Sequence, residues 1–237
     1  MSSKPLAVFD IDGTIFRSSL TIELFKRLVR EEIFRKDAMI KVRKSERKWI
    51  NREGHYEDYI RDVVSAYLKA MIGVKRSQVV RASRKVIREQ KYRTYRFTRN
   101  LLQKIGSRYV TIGISGSPFE VVGEYNKFLK FDKFYGSEFG VDKKGRYTGV
   151  VLHEPPRYKK EVVIRYLDRH KFSLKGSIGV GDTESDIGFL DLVEKPIAFN
   201  PNARLAQYAK KRNWPIVIER KDLIIEFNPE KVKYIKV

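Results

Sequence analysis

Apolar residues recur along this chain with two different periods, and the change between them divides it. Residues 5–10 (PLAVFD) are a short apolar run ending in an acid, followed by Gly13 and Thr14, which predicts a buried strand opening into a turn. From about 18 to 100 the spacing is helical. IELFKRLV (22–29), EDYIRDVVSAYLKAMI (57–72) and SQVVRASRKVIREQ (77–90) carry it, with Gly54 and Gly73 as punctuation, and no stretch there reads as a strand. Strand patterning returns at YVTIGIS (109–115), SIGVGD (177–182), KPIAFN (195–200) and PIVIE (215–219). Helical segments alternate with these strands at 118–129, 158–170 and 204–212. Residues 134–152 alternate in polarity around DKKG and YTG turns, which predicts a small hairpin.

Strands that alternate with helices predict a mainly parallel sheet covered on both faces. The first strand cannot bury both faces alone, so it must join the later strands. The expected fold class is therefore α/β: a doubly wound, Rossmann-like sheet with an inserted all-helical cap and a β-hairpin flap. On this reading residues 1–16 and 101–237 form the core and 17–100 the cap.

Composition narrows the options. Hydrophobic residues at 42% and charged residues at 33% fit a globular chain. The absence of cysteine removes disulfides, thiolate nucleophiles and cysteine zinc sites. His55, His153 and His170 lack metal-ligand spacing. No apolar run reaches the length of a membrane span, and the few residues before the first strand leave no room for a signal peptide, so the expected location is cytoplasmic. The formal charge is +21, and residues 17–100 carry 24 Lys/Arg against 10 Asp/Glu. Such a field attracts phosphate-rich partners, from small anions to nucleic acid or acidic lipid headgroups. Interleaving with an apolar helical pattern favours the plainer reading of a solvated basic surface.

Candidate chemistry collects at strand ends. DIDGT (10–14), SGSP (115–118) and GDTESD (181–186) each follow an apolar strand. Singly, each is as easily a helix cap or a turn. Together they bring Asp10, Asp12, Asp182 and Asp186 to the carboxyl edge of the sheet, where open α/β folds bind ligands. Four carboxylates repel one another unless a cation intervenes, and hard oxygen donors suit Mg²⁺. Turns at Gly13 and Gly116 can present backbone N–H groups to phosphate. Lys159 or Lys160, at the start of a helix, can bring a positive charge to the same anion.

These motifs, over essentially the whole chain, resemble the haloacid dehalogenase-like hydrolase superfamily, in its phosphoserine-phosphatase-like branch with a helical cap after the first motif. The resemblance implies that Asp10 is a nucleophile forming an aspartyl-phosphate and that Asp12 is the general acid and base. It implies that Ser115 and Lys159 bind phosphate. It further implies Mg²⁺ held by Asp10, the Asp12 carbonyl, Asp182 and, directly or through water, Asp186. An apolar residue four positions after the family lysine selects Lys159 with Val163, and Lys160 remains the alternative. Phosphoserine phosphatases carry an acid nine positions past the nucleophile to hold the substrate ammonium. Ser19 stands there, and Glu23, one turn further on, is a possible stand-in.

The cap segment KYRTYRFTR (91–99) alternates Tyr92, Tyr95 and Phe97 with Arg93, Arg96 and Arg99. It reads first as a helix end with aromatics on the core, and second as a stacking and phosphate platform. The expected function is a phosphatase of small anionic phosphomonoesters, not selective for phosphoserine. The alternatives are a phosphatase acting on a nucleotide, nucleic-acid end or phospholipid headgroup, and a nucleic-acid-binding protein with a vestigial site. Four carboxylates where a polyanion must approach argue against the last. Oligomeric state has no signature in the sequence.

Overall fold

The structure is a computed structural model and describes residues 4–155, 158–170 and 172–227. Residues 1–3, which enter the signal-peptide expectation, lie outside that range. Eight strands form one sheet: β1 (Leu6–Asp10), β2 (Val110–Pro118), β3 (Lys133–Val141), β4 (Tyr147–His153), β5 (Ile178–Gly181), β6 (Lys195–Phe199), β7 (Ile216–Arg220) and β8 (Leu223–Phe227). Their order is β4-β3-β2-β1-β5-β6-β7-β8. The six inner strands run parallel, and β4 and β8 pair antiparallel at the edges.

All five residues of β1 are buried because this strand is central and covered on both faces. Ala7 and Phe9 point into one apolar cluster, and Leu6 and Val8 into the other. Helix α7 (Lys159–His170), the short α8 (Ile187–Leu190) and α9 (Ala203–Arg212) cover the Leu6/Val8 face. Helices α5 (Arg96–Ile105) and α6 (Phe119–Leu129) cover the other.

Between β1 and β2 the chain builds a helical cap from α1 (Leu20–Arg30), α2 (Met39–Ile50), α3 (Tyr56–Ala70) and α4 (Arg76–Gln90). Its buried residues, among them Phe25, Phe34, Val42, Tyr59, Val63, Tyr67 and Val86, are continuous with the cluster under the sheet. Helix α2 went unread in the sequence because six of its twelve residues are charged and only Val42 is buried, so its apolar stripe is thin.

The hairpin differs from its expected form in two ways. Its first strand is a full member of the sheet, parallel to β2, and the supposed YTG turn (147–149) lies within β4. The hairpin also grips the cap. Gly73 N donates to the Tyr147 carbonyl at 2.8 Å, Tyr147 N to that of Val74 at 3.0 Å, and Arg76 N to that of Gly145 at 2.9 Å. Strand β8 was not foreseen. Its residues follow β7 after a two-residue turn and remain largely exposed.

Candidate active site

Strand register brings the three acidic motifs to one edge. Asp10 ends β1 opposite Ile114 of β2, so Ser115 lies one step beyond it. Phe9 is opposite Val180 of β5, so Asp182 emerges just past the level of Asp10. The chain leaves β1 for β2 on one side and reaches β5 on the other, which makes this edge the topological switch point of the sheet.

Asp10 is 4% exposed. Its Oδ1 accepts from Lys159 Nζ at 2.6 Å, while its Oδ2 is buried with no hydrogen-bond partner. Lys159, also 4% exposed, donates as well to Asp186 Oδ1. The other oxygen of Asp186 accepts from Asp182 N at 2.9 Å and Thr183 N at 3.0 Å, which fixes the turn after β5. Lys160 is exposed. Thr14 Oγ1 donates to Asp182 Oδ1 at 3.3 Å. Gly13 has φ +83°, and a Cβ there would lie 2.1 Å from Asp182 Oδ2, so only glycine leaves this carboxylate its place. The Gly13 N–H donates to the carbonyls of Phe16 and Ser18 in this conformation.

Carboxylate oxygens of Asp10, Asp182 and Asp186 lie within 4.8 Å of one another. Burial, partly opposed by Lys159 and reinforced by Asp186 and Asp12, pushes the Asp10 carboxyl up to about 8. Burial and the charges of Asp10 and Asp186 likewise raise Asp182 well above the usual carboxylate range. Burial acts to lower Lys159, but Asp10 and Asp186 outweigh it and hold the ammonium above its ordinary pKa. One lysine against three clustered acids, with an unpartnered buried oxygen among them, fits a hard divalent cation. The cluster can hold such an ion.

A measurable consequence follows for the metal-free protein. A carboxyl whose folded pKa is raised keeps its proton after the unfolded chain has released it. Its stabilising contribution is complete below the unfolded value of 3.8 and is lost as pH rises towards about 8. In chelator the melting temperature is expected to fall by at least ~5 °C between pH about 5.5 and about 8.5. Magnesium should restore more at the higher pH. A flat or rising profile in thermal denaturation would count against this electrostatic account.

Asp12 sits beside this cluster with both oxygens engaged. Oδ1 accepts from Leu20 N at 2.6 Å, at the start of α1, and Oδ2 from Ser115 Oγ. Ser117 Oγ lies 3.0 Å from each oxygen. Burial raises the Asp12 carboxyl, and the Ser115, Leu20 and Ser117 donors only partly offset it. Ser115 is fully buried behind Asp12, whereas Gly116 and Ser117 line the cavity. Sequence reasoning passed over Ser117. The available signal was its spacing of two from Ser115 on one strand, which puts both hydroxyls on the same face. Thr21 also went unnoticed, although its N–H donates to Ser117 Oγ at 2.9 Å.

A cavity of about 1170 Å³ opens above these groups, between the sheet edge and the cap. Ser19 is buried and lines it. Glu23 lines it too, but is already paired: Arg93 Nη1 (2.9 Å), Gln90 Nε2 (2.9 Å) and Ser18 Oγ (3.0 Å) all donate to its carboxylate. The alternation at 91–99 is split apart. Tyr95 and Phe97 pack on Phe199 of β6, and Tyr92 packs edge-on against Phe128. Arg96 is exposed at the start of α5 and lies outside the cavity lining, while its backbone N–H is held by Glu219 at 2.9 Å. Cap cations also pair across helices, as in Lys26–Glu46, Arg76–Glu120 and Arg84–Glu124.

A doubly wound sheet with an acid cluster at its switch point, one buried lysine and a helical cap over the cavity defines a hydrolase of the phosphatase type. The chain belongs to the haloacid dehalogenase-like hydrolase family, whose model matches residues 7–191. It is 24% identical over 220 residues to the "Inhibition of morphological differentiation protein" of Streptomyces azureus, covering 89% of this chain and 77% of that one. Among solved structures, a protein of unknown function from Bordetella pertussis Tohama I matches with TM-score 0.72 and 18% identity, over 91% of this chain and 98% of that one. A phospho-aspartyl intermediate analogue of phosphoserine phosphatase matches with TM-score 0.60 and 20% identity, over 93% and 96% of the two chains. The fold is thus related to the phosphoserine phosphatase branch. Among the described residues, no helix is long and apolar enough to cross a membrane.

Proposed function

We propose that the protein is a Mg²⁺-dependent phosphatase that hydrolyses small phosphomonoesters through an aspartyl-phosphate on Asp10. Residues 1–16 and 101–237 would be its catalytic core and 17–100 its specificity cap. The observation that carries this reading is the Asp10 carboxylate itself, with one oxygen held by Lys159 and the other buried, unpartnered and beside the cavity.

Asp10, Asp182, Asp186 and the Asp12 carbonyl are the groups that would hold Mg²⁺. The ion would supply charge neutralisation for the phosphoryl group and the clustered acids. Asp10 Oδ2 attacks phosphorus and its ester P–O bond breaks. Asp12, whose buried carboxyl favours its proton, gives that proton to the departing alkoxide. A water then attacks the aspartyl-phosphate phosphorus. Asp12 takes the water's proton, and Asp10 is regenerated with release of phosphate. Ser115 turns from Asp12 to a phosphoryl oxygen, and Lys159 balances the charge growing on Asp10 and phosphate. Gly13 and Gly116 shape the turns against which the phosphate rests. The test is phosphate release from a panel of monoesters with and without Mg²⁺. Turnover that needs no divalent ion would sink the reading.

Selectivity against phosphoserine follows from the pairing of Glu23. An ammonium entering the cap meets a serine at position 19 and an acid already neutralised by Arg93. Arg93→Ala is expected to raise kcat/KM for phosphoserine relative to glycerol 3-phosphate by about tenfold. An unchanged ratio would show that Glu23 has no reach to the substrate.

A further inference from the structure

Helix α3 carries two apolar stripes. Tyr59, Val63 and Tyr67 are buried and anchor it in the cap core, and Tyr59 and Tyr67 also reach the cavity. Tyr56, Ile60, Val64 and Leu68, each four residues apart, form a second stripe that is only half-buried and lines the cavity. Neighbours four apart adjoin on the helix surface, so this stripe is a ridge inclined to the helix axis that spans roughly 18 Å along it at 1.5 Å per residue. Trp49 from α2 continues the strip beside Tyr56, their ring centroids 5.4 Å apart. Phe139 and Val151, a cross-strand pair of β3 and β4, line the same cavity from the hairpin.

Tyr56 and the acids Asp10, Asp12 and Asp182 line the same cavity. Ile50 and Val151, which also line it, remain 67% and 44% exposed. One wall of the cavity that holds Asp10 is thus apolar, beside charged lining residues such as Lys26, Glu46, Arg52 and Glu53. Its volume of about 1170 Å³ exceeds the roughly 300–1,000 Å³ of ordinary small-ligand sites. Apolar side chains left facing a cavity gain from any ligand that removes them from water. A short polar ester would leave this strip uncovered.

We infer that the substrate is a phosphomonoester of an extended apolar alcohol, whose chain lies along Tyr56, Ile60, Val64 and Leu68 with its phosphate at Asp10. The neutralised Glu23 is consistent with an alcohol lacking an ammonium group. This inference rests on the phosphatase reading of Asp10 and deepens it.

The test is a series of ethyl, butyl, hexyl and octyl phosphates, each below its micelle concentration, alongside phosphoserine, with Mg²⁺ and with the Asp10→Asn variant as control. The expected kcat/KM rises two- to fourfold per added methylene until the strip is covered, as burial of each CH₂ dictates. Hexyl phosphate should exceed phosphoserine by at least about tenfold on the same grounds. Ile60→Gln and Leu68→Gln, made separately, should flatten the series, with losses that grow with chain length. Octyl phosphate carried in vesicles instead of free solution tells whether a lipid surface or bulk water delivers the ester. A flat series with turnover that still depends on Mg²⁺ and Asp10 overturns the inference and leaves the phosphatase reading standing. Absence of turnover throughout, or turnover indifferent to Asp10→Asn, removes both.

Discussion

Asp10→Asn is expected to lower kcat/KM for every monoester by at least about four orders of magnitude, because the proposed mechanism passes every phosphoryl group through this carboxylate. The carboxylamide is nearly the same shape, so the variant should fold. It should also tolerate high pH better in the absence of metal, since one of the three clustered charges is gone. The pairing of lost turnover with retained or improved stability separates a nucleophile from a structural acid. A destabilised and inactive variant would instead make Asp10 a packing residue. Phosphate release and thermal denaturation on the same samples read both quantities.

The second large effect belongs to Lys159. Its ammonium is buried between Asp10 and Asp186 and is their shared hydrogen-bond donor. Lys159→Met would leave two buried carboxylates facing each other. Breaking a buried pair by removing one partner costs about 3–5 kcal/mol. A loss of that size lowers the melting temperature by roughly 10 °C in a chain this long. Activity should fall with it, because Asp10 would hold its proton over a wider pH range. Lys160→Met, one residue on and exposed, should stay within about 0.5 kcal/mol of the parent. Equal effects from the two substitutions would contradict the assignment of the buried role to Lys159. Added Mg²⁺ should recover part of the Lys159→Met deficit, since the cation and the ammonium oppose the same repulsion.

Much of this site was legible because its chemistry sits at the ends of strands. An apolar run followed by DIDGT, SGSP or GDTESD marks both the element and the edge where it stops. Once the strands are parallel and adjacent, the acids meet. The lysine choice between 159 and 160 was harder, because both begin the same helix. Only the direction in which α7 packs on the Leu6/Val8 face of the sheet sends one inward. Ser117 and Thr21 escaped notice because their partners lie about a hundred residues away, and a serine in a turn-like SGSP gives no hint that it holds Asp12.

The cap was legible as helices and poorly legible as a site. Glu23 looked like a free acid in the sequence; its ion pair with Arg93 and its hydrogen bond from Gln90 depend on the return of α4. The arginines and aromatics of 91–99 share an alternating pattern but not a face, because the segment turns before α5 begins at Arg96. Helix α3 shows the same limit from the other side. Its composition shows an amphipathic helix, and only the packed structure reveals that Tyr56, Ile60, Val64 and Leu68 stay half-buried along the cavity.

Asp10 is the residue proposed to carry the phosphoryl group. The most direct measurement is a single turnover on an alkyl phosphate with Mg²⁺, quenched in acid, followed by peptide mass mapping of the wild type and of Asp10→Asn. One phosphoryl group on the peptide containing Asp10, absent from the variant, is the predicted result. Turnover with the phosphoryl on another residue, or turnover that survives in Asp10→Asn, would contradict the account.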